Sequence, residues 1–492
     1  MLPLPAYTSS SSAFKRRCRV SYVHLLTATA LFVLSAYTLL LFSSRTPTHI
    51  QQQVQHLRSL PSDFVQSSNR KGGAIDEDSL AKTLATVDGL RAEFNRQERE
   101  QEAEKGWANW MLAPFSITRD ALVVSSTHAY PTCPTSADPH YSSSLYYKRV
   151  FIAINLLQNE ELMPTLTREL VALIRVLGPD RVFVSIYENA SMDLTIMHLR
   201  LLCQVLESLG TPYKVIAKGL TELQQKENGH RISRLSAVRN AALEPLSNPS
   251  EFDTVLWLND IFHCHTDVLE LLLQKQQQGA VQACGIDYGP KGLIYDRWVM
   301  RNMRGMPFYN QSDLVEFFSS DITYKPRPEV LPFPEDTLDK AALERGEPFQ
   351  VFSCWNGVTA FSASAFAPPT SLRFRTALND PNSKDGVTDK ASECYLSSVD
   401  LWKHGMGRVM LVPRVKVAYS LDIYEWDRTP AGYDPTVVTT PRINWKTAPP
   451  KQVWMHNFAA WYAPETAPPK QVWMHNFAAW YAPEVPEPWD EA

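Results

Sequence analysis

Arg231 to Asp260 reads RISRLSAVRNAALEPLSNPSEFDTVLWLND. A polar helix start leads into an amphipathic helix. The apolar, partly β-branched run Thr254-Val-Leu-Trp-Leu258 follows and stops on Asn259 and Asp260. Such a run is an interior strand. A carboxylate at the C-terminal end of a parallel strand is where open α/β sheets hold a metal or a nucleotide. Asn-Asp also terminates strands with no ligand involved, so this stretch decides the fold before it decides the function.

The same unit repeats upstream. Val150–Asn155 and Arg181–Tyr187 are strand-like, and Pro212–Ala217 is a short third strand. Glu160–Leu177 and Asp193–Leu209 carry apolar residues at helical spacing between them. Strands alternating with helices of this length imply βαβ crossovers and a mixed, mainly parallel sheet. The polar residues that follow the strands, Asn155, Glu188, Asn189 and Asp260, are then expected along one sheet edge. That arrangement suits a nucleotide; four unrelated turns are the plainer alternative.

These residues resemble a family. Tyr187-Glu-Asn-Ala-Ser-Met-Asp-Leu-Thr195 is similar to the acidic turn of nucleotide-sugar glycosyltransferases of the GT-A fold. Ser236-Ala-Val-Arg-Asn-Ala-Ala-Leu-Glu244 resembles the helix that precedes their metal-bearing strand. More closely, SIYENASMDLT, RLSAVRNAALEPL, WLND, IYDRWVMRN, SCWNGVTAF and the stretch from SECYLSSVDLW to VKVAYS resemble glycosyltransferase family 69. This is the fungal family of the cryptococcal α-1,3-mannosyltransferase and the capsule-associated proteins. The blocks span roughly residues 150–420. The resemblance implies a GT-A-like α/β enzyme that moves mannose from GDP-mannose to a glycan hydroxyl with a divalent ion. It also implies retention of the anomeric configuration.

The general GT-A pattern has two acids around one residue at the strand tip, whereas Leu258-Asn259-Asp260 supplies one. Asp260 is therefore the expected ligand of Mn²⁺ or Mg²⁺. Asn259 offers a neutral oxygen, and phosphate oxygens complete the shell. Asn155, Glu188, Asp193, Arg239, Asn259, Trp355 and Asn356 are the expected nucleotide-sugar contacts. Arg239 either clamps the diphosphate through its fork of donors or pairs with helix neighbours. In Ser353-Cys-Trp-Asn-Gly357, glycine permits close backbone approach and Trp355 can stack on a sugar face. Glu393 opens a helix, where an acid also compensates the dipole. It is the first choice for an acid near the reacting carbon. Asp296, expected to begin a helix after the strand that ends before Asp287, is the second. If the reaction inverts, one of the two acts as general base.

Net charge over the 492 residues is −4 with both signs mixed, which leaves no electrostatic footprint for nucleic acid. Tyr22 to Phe42 carries no charge apart from the titratable His24 and is long enough to span a bilayer. Lys15-Arg-Arg-Cys-Arg19 precedes it, and only Arg45 lies close behind. The positive-inside rule then gives a cytoplasmic tail at 1–21 and a signal-anchor helix at 22–42. A cleaved signal peptide is disfavoured by the length of the apolar run. A luminal stem follows at 43–145, with helical spacing at Leu80, Leu84, Val87, Leu90 and Phe94. The transferase domain is 146–465 and a tail is 466–492. The setting expected is a single-pass type II Golgi membrane protein with its catalytic domain in the lumen.

Six cysteines, at 133, 203, 264, 284, 354 and 394, would face an oxidising lumen and permit up to three disulfides, with Cys203 equally readable as a buried thiol. Of the two sequons, Asn310 suits a glycan better than Asn189, which sits at the nucleotide edge. Residues 447–465 recur letter for letter as 466–484, the mark of a recent duplication or an assembly error rather than a solenoid. One copy's histidine, His456 or else His475, is a candidate to close the metal sphere. Two rivals stay open: a non-catalytic, membrane-anchored glycan-binding or complex-organising protein that keeps the fold, and a transferase for xylose, glucose or galactose.

Overall fold

The computed structural model describes residues 56–57, 59–69, 75–91, 131, 133–134, 139–145, 148–218, 231–289, 293–310, 313–314, 332–333, 336–376, 391–427, 441–455 and 473–476. The tail 1–21, the apolar span 22–42 and His456 lie outside them. Among the described residues, no helix is long and apolar enough to cross a membrane.

The strands are β1 (Phe64–Ser68), β2 (Val150–Leu156), β3 (Val182–Glu188), β4 (Tyr213–Ala217), β5 (Thr254–Leu258), β6 (Gln282–Tyr288), β7 (Arg301–Asn302), β8 (Phe349–Ser353), β9 (Val358–Ser362) and β10 (Val409–Ala418). They form one mixed sheet in the order β1-β4-β3-β2-β5-β9-β6-β10-β8-β7. β4, β3, β2 and β5 pair in parallel, as the alternating pattern requires. Beyond β5 the expectation of a mainly parallel sheet fails. β9 runs antiparallel between β5 and β6, and only β6 and β10 pair in parallel on that side. The physical reason is that β9 pairs with β5 and β6, strands far earlier in the chain, and local pattern does not set the direction of a pairing between distant segments.

Alternation along β2 divides the core. Val150, Ile152, Ile154 and Leu156 face one cluster, which they share with α2 (Met163–Leu177), α3 (Thr195–Leu209) and α5 (His265–Gln278). Phe151 and Ala153 face the other, with α4 (Arg231–Leu243) and α7 (Glu393–Lys403). The shorter α1 (Pro139–Leu145) adds Tyr141 and Leu145 to the first cluster, and α6 (Thr337–Glu344) adds Ala342 to the second. Successive strand side chains point to opposite faces, so a sheet covered on both sides needs apolar residues throughout. That is why β2 and β5 read as unbroken apolar runs.

The stretch 43–145, expected to be a spacer, is in part built into this body. β1 pairs antiparallel with β4 and forms the sheet edge. Leu80, Val87 and Leu90 of the helical residues 77–91 are buried, and Arg168 on α2 pairs with Asp88. Cys133 is bonded to Cys264, and Cys284 to Cys354, while Cys203 and Cys394 remain buried thiols. Two disulfides thus form of the three that the count allowed. At the other end, the two copies of the duplicated segment pair with each other: Gln452–Met455 lies antiparallel to Trp473–Asn476, with Val453 buried in the second cluster.

A chain beginning at residue 70 lacks β1 and leaves the edge of β4 open. Compared with a chain beginning at 43, its thermal midpoint should fall by at least ~4 °C, the scale of 1–2 kcal/mol in a domain of this size. Equal midpoints would mean that β1 adds nothing to the fold.

Candidate active site

The C-terminal ends of β2, β3 and β5 lie side by side, which gathers Asn155, Glu188, Asn189 and Asp260 on one edge as expected. The loops after β2 and β3 are laced together there. Glu188 accepts the amides of Ala190 and Ser191, Ser191 Oγ accepts the amide of Gln158, and Thr195 Oγ1 that of Asn159. Asp193 accepts the amides of Glu160 and Thr195. The carboxylates of Glu188 and Asp193, expected to meet the nucleotide, are thus spent on loop geometry. Glu188 is 0% exposed, and burial pushes its pKa up. The loop they fix presents Asn159, whose Nδ2 lies 3.4 Å from Asp260 Oδ2. Asn155 Nδ2 donates to Val238 O at 2.8 Å, which ties β2 to α4, and its buried Oδ1 has no partner among the described residues.

Asp260 is half-buried at the strand tip, where burial raises its pKa against the pull of Asn159 and Arg239. Beside it stands a buried ion pair. Arg239 Nε donates to Glu393 Oε1 at 2.9 Å, and Nη1 to Asn259 Oδ1 at 3.3 Å. The guanidinium carbon sits 4.4 Å from the Trp355 ring centre, 5.5 Å from that of Trp257 and 5.7 Å from that of Phe374. At 8% exposure Arg239 is sunk beneath the site rather than open to a diphosphate. It pairs not with its own helix but with α7. Glu393, bound to that cation, is correspondingly no free acid.

Trp355 is also corrected. It is 3% exposed, packed against Trp257, Phe361 and Phe374, so no sugar face reaches it. Its indole Nε1 donates instead to Asn259 Oδ1 at 3.2 Å. With two donors on that oxygen, Asn259 has none to offer a metal. Asn356 and Gly357 take positive φ, 55° and 74°. A β-carbon on Gly357 would stand 2.9 Å from Ile261 Cγ2, and the Gly357 carbonyl accepts the Asn259 amide. The loop therefore clamps the strand tip through its backbone.

Asp296 opens a turn, not a helix: its carboxylate accepts the amides of Val299 and Asn356, and the chain goes straight on into β7. Its own amide donates to Asp287 Oδ1 at 3.0 Å. Asp287, next to last in β6, is fully buried, with Oδ2 unpartnered among the described residues. Burial and the neighbouring Asp296 charge hold its pKa well above the ordinary value. Tyr419 and Tyr295, which the sequence reading passed over, complete the wall; their ring centres are 4.7 Å apart.

A buried carboxyl of this kind leaves a pH signature. Its folded-state pKa lies above the ordinary 3.8. The folded protein therefore binds more protons than the unfolded chain as pH rises from 3.8 to the raised value, and stability falls through that window. Asp287→Asn should flatten the fall, so the variant's thermal midpoint gains on that of the parent as pH rises. Parallel pH profiles would count against a neutral, buried Asp287.

Among the described residues, the grouping of metal-type ligands is Cys133, Glu169 and Cys264, whose two sulfurs are bonded to each other. Asp260 belongs to no such cluster. Its carboxylate, which among the described residues takes the long contact from Asn159 and one from its own backbone amide, fits a hard divalent ion that takes its other oxygens from phosphate and water.

Comparison with known proteins bears on the family of the chain. Among solved structures, the mannosyltransferase PcManGT from Pyrobaculum calidifontis, in complex with GDP-Man and Mn²⁺, is 11% identical, with a TM-score of 0.30 over 70% of this chain and 68% of that one. GalNAc-T7 with UDP, GalNAc and Mn²⁺ is 11% identical, with a TM-score of 0.32 over 55% and 43%. At these scores the two lend nothing to the reading of the site. The sequence matches carry the weight. The Alpha-1,3-mannosyltransferase CMT1 of Cryptococcus neoformans var. neoformans serotype D is 30% identical over 378 residues, 68% of this chain and 77% of that one. The family model described as Cryptococcal mannosyltransferase 1 matches residues 149–400, from the start of β2 into α7. The chain belongs to that family and is a glycosyltransferase.

Proposed function

We propose that the chain transfers mannose from GDP-mannose, in α-1,3 linkage, to a hydroxyl of a fungal cell-wall or capsule glycan. The frame is GT-A-like, with Mn²⁺ or Mg²⁺ held at Asp260. The family and the activity named for the cryptococcal relative support the donor and the linkage. The observation that carries the reading is Asp260 itself. It is a carboxylate at the tip of a buried parallel strand, on the edge where two laced loops open, with most of its acceptor capacity unused.

The residues around it act by position. Arg239 and Trp355 fix Asn259, and the Gly357 carbonyl fixes its backbone, so the strand tip is held from both sides. Asn159 approaches the far side of the carboxylate. A bound divalent ion supplies neutralisation of the charge that develops on the departing diphosphate. Glu393 is bound to Arg239, and Asp296 accepts two backbone amides. With both candidate bases committed, retention of configuration, which needs no conventional base, is the outcome we favour.

The same proposal places the chain in the Golgi as a single-pass type II protein, with residues 22–42 in the bilayer and the catalytic domain in the lumen. The basic flank at residues 15–19 and two disulfides, which persist in oxidising compartments, support this. Protease added to intact vesicles should spare a tag placed after Ala492; digestion of that tag would overturn the orientation.

Asp260→Ala should abolish metal-dependent binding of GDP-mannose and lower turnover by at least ~10²-fold, the scale of a lost Lewis-acid role. Asp260→Asn, which keeps size but not charge, should fail similarly. Melting temperature measured on the same samples separates loss of chemistry from loss of fold. Near-normal turnover by folded Asp260→Ala protein would move the metal elsewhere.

A further inference from the structure

Tyr419 follows β10 in the run Val415-Lys-Val-Ala-Tyr-Ser420. An antiparallel bridge between Phe262 and Ala418, with Phe262 N donating to Ala418 O at 2.7 Å, carries it to the β5 tip. There its hydroxyl lies 3.1 Å from Asn259 Nδ2.

The neighbours determine where the phenolic proton points. Indole and guanidinium nitrogens donate and cannot accept. Trp355 Nε1 and Arg239 Nη1 both reach the same atom of Asn259, so that atom must be Oδ1. The amide therefore turns Nδ2 toward Tyr419, and the phenol oxygen accepts from it. The proton of Tyr419 is left to point elsewhere, and among the described residues nothing accepts it. Burial pushes the phenol's pKa well up, so the proton stays on.

We propose that the Tyr419 hydroxyl, oriented by Asn259, donates a hydrogen bond to a phosphate oxygen of the bound nucleoside diphosphate beside Asp260. A diphosphate approaching this edge meets the carboxylates of Asp260 and Asp296, with Arg231 as the cation near Tyr295, while Arg239 is committed below the surface. Beyond a metal ion, such an anion needs donors that carry no negative charge, and a protonated phenol is one. Hydrogen bonds to charged acceptors are the stronger class. The proposal rests on the nucleotide-sugar reading above and adds to it a residue that recognises phosphate.

Tyr419→Phe removes the hydroxyl and keeps the ring against Tyr295. The full-length chain in detergent with Mn²⁺ is titrated with GDP and with guanosine, and its thermal midpoint is recorded. The variant should lose about 10- to 100-fold in GDP affinity, the scale of a hydrogen bond to a charged group. Guanosine affinity should not change, and the midpoint, which can fall slightly because Asn259 Nδ2 loses its acceptor, shows that the variant is folded at the temperature of the titration. GDP affinity within twofold of the parent, or equal losses for GDP and guanosine, overturns the assignment while leaving the donor reading intact. A parent protein that binds no GDP overturns the donor reading, and the role of Tyr419 with it.

Discussion

The buried guanidinium of Arg239 is the constraint on which the rest of the site depends. A cation removed from water costs several kcal/mol unless it is paired and hydrogen-bonded. Here one carboxylate, one amide oxygen and three aromatic rings share that cost. Removing a single partner of such a pair generally costs ~3–5 kcal/mol, because the other charge stays buried. The pair joins α4 to α7, elements 154 residues apart in the chain. The helix before β5 and the helix after the Trp355 loop are therefore locked to the same strand tip. Asn259 inherits its orientation from this lock.

Order at the site passes outward from that centre. The fixed amide of Asn259 sets Tyr419 on one side, and the Gly357 carbonyl holds its backbone. On the other side, Glu188 and Asp193 spend their charge on loop amides and deliver Asn159 to Asp260. Most acids near the edge are therefore structural. Among the described residues Asp260 and the buried Oδ2 of Asp287 are the exceptions, and Asp260, the one of the two that is not fully buried, is the acid to which we assign the proposed metal.

Much of the fold was legible in the sequence. β5 occupies the five residues read as a strand, and β2, β3 and β4 match their apolar runs to within one residue at each end. Period and length are local properties. The antiparallel insertion of β9 was not legible, because neighbour choice in a sheet depends on contacts distant in sequence. The same limit explains the site. Arg239, Glu393, Asn259 and Trp355 were singled out as separate functional groups, and the structure brings them into one cluster. Their roles changed because burial and partner choice are tertiary facts: a guanidinium that looks free on a helix is paired with a carboxylate far along the chain. Tyr419 carried only a faint signal, a polar aromatic directly after a buried strand.

β1 and the helical residues 77–91 extend the packed body upstream of residue 146. A polar segment with a modest apolar stripe reads as a spacer when nothing shows what the stripe covers. In the fold it covers α3: Val87 and Leu90 pack in a small cluster with Met197 and Leu201. β1 meanwhile pairs with β4, which would otherwise present an open edge. α3 begins at the β3 turn laced by Asp193, and that turn is joined to the loop carrying Asn159. The outer layer is thus coupled to the Asp260 edge through one helix. A chain cut at the boundary read from composition would lose packing behind the loops that shape the site, even though every residue at the strand tips was kept.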